Sequence, residues 1–445
     1  MILEAMLSAA LGGALYGYIQ SKDKKNEKIK LEKDKIEQLE NMRIWKKCLE
    51  LSDTKGIINK NNDTFTLECY QKTDYGFLAI TKAPLGVDWL KLRSVEGELE
   101  TSFKGTVEIT KEKYSDEIKV EVITKKPEFE FKPVKLTCNE WFGGLKANGT
   151  CLNIDLNLNP HILYSGKTGS GKTFAMFISF TNMLYNYKND FDVYITQLVN
   201  AETKIFSKCK PCKMTASTLE EALVVLEKIV EICDKREKEI SKYGYVSVRH
   251  FNEDNPNRKF KRIVLLMDEF SFFKGEDGDS EEDKKLKNKC ESCLKRIAKA
   301  GRSMNVTIIA GLQKATVENI NSSVRSQMCV ISLRQFSNAD SKVAIGTTEG
   351  ARLDDCEAII KGAGIYEKVF IPQIKSKQPQ VELQKYDKNI IVPRKGVIIE
   401  DIVKEKEEKL VSTIKTPDKT EENNNVVDIK TTTKKKPRRR NIKGA

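Results

Sequence analysis

The residues best suited to chemistry lie in two short runs. Gly166 to Thr173 reads GKTGSGKT, the spacing G-x-x-x-x-G-K-[ST] of a phosphate-gripping loop. Gly166, Gly169 and Gly171 let the backbone turn tightly, so the N–H groups along Lys167, Thr168 and Ser170 can point inward as an anion cradle. Lys172 can reach the β- and γ-phosphates of a nucleoside triphosphate. The Thr173 hydroxyl can ligate Mg²⁺, and a helix starting here adds its positive dipole end. The second run is RIVLLMDEF. Its apolar part, Ile263 to Met267, makes a buried strand that ends in Asp268 and Glu269. Asp268 is placed to hold the Mg²⁺ shell, and Glu269 to orient and deprotonate an attacking water. The pair of runs predicts binding and hydrolysis of ATP with Mg²⁺.

Two further positions follow from strand order. NVTIIAGLQ reads as the strand beside the acidic one, and Gln313 at its tip can sense the γ-phosphate or position water. Arg302, in AGRS just before that strand, is a candidate for an arginine acting across a subunit boundary. Arg325 and Arg334 are its rivals, and any of the three can equally be a surface or DNA-contacting arginine.

These residues need a sheet to hold them. A short apolar run at Ile162–Tyr164 leads into the glycine loop, and an amphipathic helical pattern follows. Further strand candidates are Val193–Ile195, Ile263–Met267, Val306–Ala310 and Cys329–Leu333. Helical stretches lie between them, notably Leu219 to Ile240 and Lys284 to Ala300. Alternation of this kind predicts an α/β domain over residues 145–378, a P-loop NTPase of RecA-like type with a mostly parallel sheet and its ligand at the carboxyl ends of the strands. Residues 56–144 carry short β-rich runs (TFTLECY, YGFLAIT, GTVEIT, IKVEVIT) with one helix expected over GVDWLKLRSVEGELETSF, so a small α+β domain precedes the large one.

The ends differ from the body. Residues 1–20 are apolar and small, and residues 21–55 are charged with spaced apolar positions, as in a solvated helix or short coiled-coil stalk. The stretch 2–19 is barely long enough to cross a bilayer. It is read as a single membrane anchor, an interfacial helix or a helix packed on another subunit. The lysines that follow it would keep the body in the cytoplasm. Residues 379–445, ending in KKKPRRRNIKGA, are polar and basic, a largely disordered tail able to touch polyanions.

Composition narrows the classes. The chain has 445 residues, 39% hydrophobic and 32% charged, with a formal net charge of +13. That surplus points to a polyanion or an anionic membrane face, in part through the tail. Eleven cysteines scattered through apolar runs fit free thiols in a reducing compartment. Two C-x-x-C pairs, Cys209/Cys212 and Cys290/Cys293, stand too far apart for a compact zinc ribbon, and free thiols are the favoured reading. With only two histidines, His161 and His250, histidine metal sites and serine-triad hydrolysis have little to work with.

The order PHILYSGKTGSGKT, IVLLMDE, AGRSMNVTIIAGLQ, ADSKVAIGTTEGA and GAGIY resembles the motor of FtsK/SpoIIIE-type DNA translocases, and within that group the coupling ATPases of Gram-positive conjugative elements. The resemblance runs over about residues 130 to 375. It implies an ATP-driven, hexameric ring that threads double-stranded DNA, with a relaxase or conjugation channel proteins as partners. The departures are AGLQKA where the family has an Arg-Pro after its glutamine, and no room after Gln378 for a winged-helix DNA reader. They turn the expectation from chromosome segregation towards a mobile element. The alternatives kept open are a docking adaptor with little motor activity and a protein-secretion ATPase.

Overall fold

The computed structural model describes residues 29–198, 205–313 and 322–375. The apolar stretch 2–19 and the basic tail 379–445 lie outside the described residues. Among those described, no helix is long and apolar enough to cross a membrane.

Residues 29–51 form the first helix, α1. It is solvated along much of its length, with Ile36 and Leu39 exposed. It is not a free stalk to its end, because Trp45 and Leu49 are buried in the core of the small sheet. The Trp45 indole N–H reaches the Phe65 carbonyl at 2.8 Å. That sheet contains β1 (Glu68–Lys72), β2 (Gly76–Lys82), β3 (Thr106–Lys111) and β4 (Glu117–Ile123), antiparallel in the order β1-β2-β4-β3. The single helix expected over GVDWLKLRSVEGELETSF is two, α2 (Leu90–Ser94) and α3 (Glu96–Phe103). The chain bends between them at Val95 (φ −101°, ψ 9°), and Leu92, Val95 and Leu99 all reach the core.

The large sheet has ten strands. In chain order its elements are β5 (Glu140–Leu145), β6 (Cys151–Asp155), β7 (His161–Ser165), α4 (Lys172–Tyr185), β8 (Phe191–Thr196), β9 (Cys212–Ala216), α5 (Leu219–Ser241), α6 (Val248–Asp254), β10 (Arg262–Met267), α7 (Glu281–Met304), β11 (Val306–Leu312), α8 (Ser322–Arg325), β12 (Met328–Ser332), α9 (Asn338–Ile345), β13 (Glu357–Gly362) and β14 (Ile365–Phe370). The spatial order is β6-β5-β14-β13-β12-β7-β11-β10-β8-β9. From β12 to β9 every pairing is parallel, and from β12 to β6 every pairing is antiparallel. The five strands read from apolar runs are all in the parallel half. There they are covered on both faces and so carry continuous apolar sequence. Strand β5, assigned from sequence to the small domain, belongs to the large sheet.

Helices cover both faces. Tyr164 points towards α4, where its hydroxyl meets Ser179 Oγ at 2.8 Å. His161 points the other way, its Nε2–H donating to the Ala298 carbonyl of α7 at 3.0 Å, while Nδ1 accepts from the Ile308 amide at 3.0 Å. Complete burial holds the His161 pKa down at about 4, so the ring stays neutral and works as a strut between β7, β11 and α7. Two more buried cations brace the amino ends of the strands. Arg262 donates to Thr307 Oγ1 at 2.9 Å and Asn139 Oδ1 at 2.8 Å, and Arg236 to the carbonyls of Met304 and Lys261, both at 2.6 Å. Burial lowers both guanidinium pKa values to about 10.

Candidate functional site

Strand β7 ends at Ser165, and the chain then turns through residues 166–171 into α4. Gly169 and Gly171 have φ of +80° and +83°, left-handed values that a side chain would strain, and these two positions make the turn possible. The loop is anchored from both sides. The Gly166 amide bonds to the Leu312 carbonyl of β11 at 3.3 Å, and the Lys167 amide to the Arg334 carbonyl beyond β12 at 2.9 Å. The first amide of α4 to bond back into the loop is that of Ala175, to Gly171 O at 2.9 Å, so the amides ahead of it include the donors a helix start leaves for an anion. Ser170 Oγ is buried with no hydrogen-bond partner, and a side chain at Gly166 would fall 2.5 Å from it. Thr168 and Gly169 are exposed at the tip, and Thr173 is half-buried at the helix start.

Strand β10 lies two places from β7, with β11 between them. Its tip therefore reaches the loop. Lys172 Nζ stands 3.0 Å from Glu269 Oε2, with side-chain exposures of 9% and 10%. The Glu269 carboxylate also accepts from Ser271 Oγ at 2.8 Å and from the Gln313 amide at 3.2 Å. Asp268 Oδ1 accepts from the Glu269 amide at 2.9 Å, which fixes the strand tip. Gln313 lies exposed at the end of β11, its Oε1 3.5 Å from Thr168 Oγ1. Thus the loop, Asp268, Glu269 and Gln313 occupy the carboxyl ends of three adjacent strands.

Arg302 is not among them. It ends α7, which leads into the amino end of β11, and so lies at the opposite edge of the sheet. There it lines a groove of about 740 Å³ with Arg325, Lys342 and Lys361, and no carboxylate is among the described residues that line it. Arg334 is on the loop side, where its guanidinium pairs with Asp355. Sequence reasoning missed Ser271 and Gly311. A side chain at Gly311 would sit 2.4 Å from the Asp268 carbonyl and 3.4 Å from Lys172 Nζ, so only glycine lets β11 pass between the two halves of the site. Its one signal was the small residue ahead of Gln313 in AGLQ.

Two other features stand apart. The acidic run 275–283 is tied down by Lys287, whose Nζ lies 2.9 Å from Asp279 and 5.0 Å from the Phe272 ring. The Cys209/Cys212 pair lies at the start of β9 and the Cys290/Cys293 pair within α7. Among the described residues no group of three or more His, Cys, Asp or Glu is placed to hold a metal ion.

No family model matches the chain. In sequence it is similar to the DNA translocase FtsK of Helicobacter pylori (strain ATCC 700392 / 26695), 23% identical over 206 residues, which covers 44% of this chain and 23% of that protein. It is likewise similar to the DNA translocase FtsK of Staphylococcus aureus (strain Mu50 / ATCC 700699), 23% identical over 222 residues, covering 47% and 27%. The chain thus spans about a quarter of the length of these relatives. In structure it is similar to the pCW3 conjugation coupling protein TcpA, solved as a monomer with ATPγS, at a TM-score of 0.53 and 15% identity, covering 78% of this chain and 99% of that one. That likeness shows the fold, an α/β P-loop ATPase fold. The chain resembles FtsK-type translocases in sequence and a coupling ATPase in architecture.

Proposed function

We propose that this chain hydrolyses ATP to move double-stranded DNA for a conjugative or other mobile element, working as a ring of identical subunits. The observation that carries the hydrolytic part is the buried contact between Lys172 and Glu269 beneath the glycine loop. Lys172 is within reach of the loop's phosphate cradle, and Glu269 is held by Ser271 and Gln313 in one orientation. When Lys172 turns to the β- and γ-phosphates, Glu269 keeps those two partners and is free to take the proton of an attacking water. Gln313, whose own amide touches Glu269, is placed to report whether the γ-phosphate is present. The Thr173 hydroxyl and the Asp268 carboxylate are hard oxygen donors at the helix start and strand tip, suited to Mg²⁺, which would neutralise phosphate charge.

The DNA part is supported by the sequence similarity to DNA translocases and by the cationic groove at the amino ends of the strands. Four cations there, Arg302, Arg325, Lys342 and Lys361, match a phosphodiester backbone. Steady-state ATP hydrolysis with and without linear duplex DNA tests the proposal. DNA should raise the rate, and Glu269→Gln should lower it by about 10²-fold or more while ATP still binds. A rate indifferent to DNA at every salt concentration would refute translocation, and an active Glu269→Gln would refute the assigned base.

A further inference from the structure

A buried polar cluster lies directly under the glycine loop and takes no part in the chemistry derived above. Its centre is Gln335, 3% exposed, just beyond the end of β12. The Gln335 side-chain amide donates to Ser165 Oγ at 3.2 Å, to Ser332 Oγ at 2.9 Å and to the Leu333 carbonyl at 3.1 Å. Ser165 is the last residue of β7, immediately before Gly166, and both it and Ser332 are fully buried. The Gln335 amide N–H bonds to the Gly350 carbonyl at 2.9 Å. Gly350 sits where a side chain would fall 2.8 Å from Ser341 Oγ and 3.1 Å from Ser332 Oγ. Ser341 belongs to α9, and its hydroxyl donates to the Thr347 carbonyl at 2.7 Å.

This cluster joins two places, alongside the backbone bonds of Leu333 to Ser165 and of Lys167 to Arg334. At one end is the root of the loop. At the other is α9, which starts on the loop side of the sheet, capped by Ser337 Oγ on the Asp340 amide at 3.1 Å, and runs about 12 Å to the opposite edge. There Lys342, on α9, and Gly346, just after it, line the cationic groove. Ser165, Ser332, Gln335 and Ser341 are all buried and hydrogen-bonded, and separating any one would leave a buried group unpaired. Such a unit moves together or not at all.

We propose that Gln335 is a positioning residue that couples nucleotide binding at the loop to the placement of α9 and its Lys342 in the cationic groove. The inference rests on the nucleotide-binding reading of the loop and adds the route by which that site governs the far edge. When residues 166–173 close on phosphates, Ser165 shifts with them. Gln335 carries the shift to Ser332 and Gly350, and the turn at residues 349–351 passes it to α9.

Amide hydrogen exchange on the full chain, with and without Mg²⁺ and ATPγS, tests this. In the wild-type protein ATPγS should slow exchange in residues 166–175 and also in 338–346, the latter by about fivefold or more. In Gln335→Met, which keeps the volume and removes the amide, ATPγS affinity should stay within about threefold while the protection of 338–346 disappears. Ser332→Ala, which removes a single hydroxyl, should weaken the α9 response in the same direction, and it carries the test if Gln335→Met fails to fold. Equal protection of α9 in wild type and variants overturns the coupling, as does a wild-type α9 that ignores ATPγS while residues 166–175 respond. If residues 166–175 themselves fail to respond, the nucleotide-binding reading falls instead.

Discussion

The two edges of the large sheet present opposite electrostatic designs. At the carboxyl ends Lys172 and Glu269 form a buried pair, the carboxylate held further by Ser271 and Gln313. At the amino ends Arg302, Arg325, Lys342 and Lys361 line a groove with no carboxylate among its described lining residues. A balanced, buried pair costs little while it is intact and exposes either charge when a ligand separates it, which suits a small phosphate that must be bound and cut. Cations clustered in a groove attract any polyanion without choosing its sequence. One sheet therefore separates the group that does chemistry from the surface that grips.

The largest expected effect comes from breaking the balanced edge. Lys172→Ala should reduce ATP hydrolysis by about 10²–10³-fold. It also strands the Glu269 carboxylate in a buried position, at a cost of about 3–5 kcal/mol in unfolding free energy. The double variant Lys172→Ala/Glu269→Gln should recover most of that stability and none of the activity. Urea unfolding of the wild type, Lys172→Ala, Glu269→Gln and the double variant checks this through the coupling energy between the two positions. Additive destabilisation would show that the pair is not an energetic unit. Neither change should alter DNA affinity measured without nucleotide.

Breaking the other edge should have the reverse signature. Arg302→Gln, Arg325→Gln, Lys342→Gln and Lys361→Gln combined should weaken duplex DNA binding on the order of 10²-fold and flatten the slope of log affinity against log salt by roughly 0.9 for each phosphate that is no longer neutralised. Hydrolysis without DNA should persist. An unchanged salt slope would move the DNA surface elsewhere, with the basic tail the next place to look.

The two edges are unequally legible in the sequence. The loop at the carboxyl edge is contiguous, Gly166 to Thr173, and the strand that carries Asp268 and Glu269 is a single apolar run, so local spelling is enough. The groove is assembled from residues near 160, 302, 325, 342 and 361, brought together only by the strand order β13-β12-β7-β11, and no local pattern marks it. Arg302 stands out in the sequence for its place before β11, but which edge it occupies follows from α7 entering that strand at its amino end. The antiparallel half is hidden for a related reason. Strands β5, β6, β13 and β14 are less completely apolar, and their two hairpins, β5–β6 and β13–β14, meet through a pairing distant in sequence, Phe370 with Leu145. Gln335 gives no signal at all, because a lone glutamine after a strand is ordinarily a surface residue.

His161 offers the finest test of the separation, since it is the strut that holds α7, and hence Arg302, against the amino edge. Its side chain is neutral because burial lowers its pKa from 6.5 to about 4. The unfolded chain takes up a proton at higher pH than the folded one does, so this group's contribution to stability is present above about pH 6.5 and is lost as the pH falls towards 4. Between pH 7 and pH 5 the loss should be about 2 kcal/mol, the equivalent of roughly one and a half pKa units. A proton on Nδ1 would also remove the acceptor for the Ile308 amide and push the ring against the helix turn at Gly301, where a side chain would already stand 2.4 Å from its Cε1. His161→Gln keeps one donor and one acceptor but cannot titrate. It should start less stable at pH 7 and lack this part of the acid-induced loss, and unfolding curves at the two pH values, read as the difference between variant and wild type, isolate the term from carboxylate titration. An identical pH dependence in both proteins would show that His161 is not the acid-sensitive joint between the helix and the grooved edge.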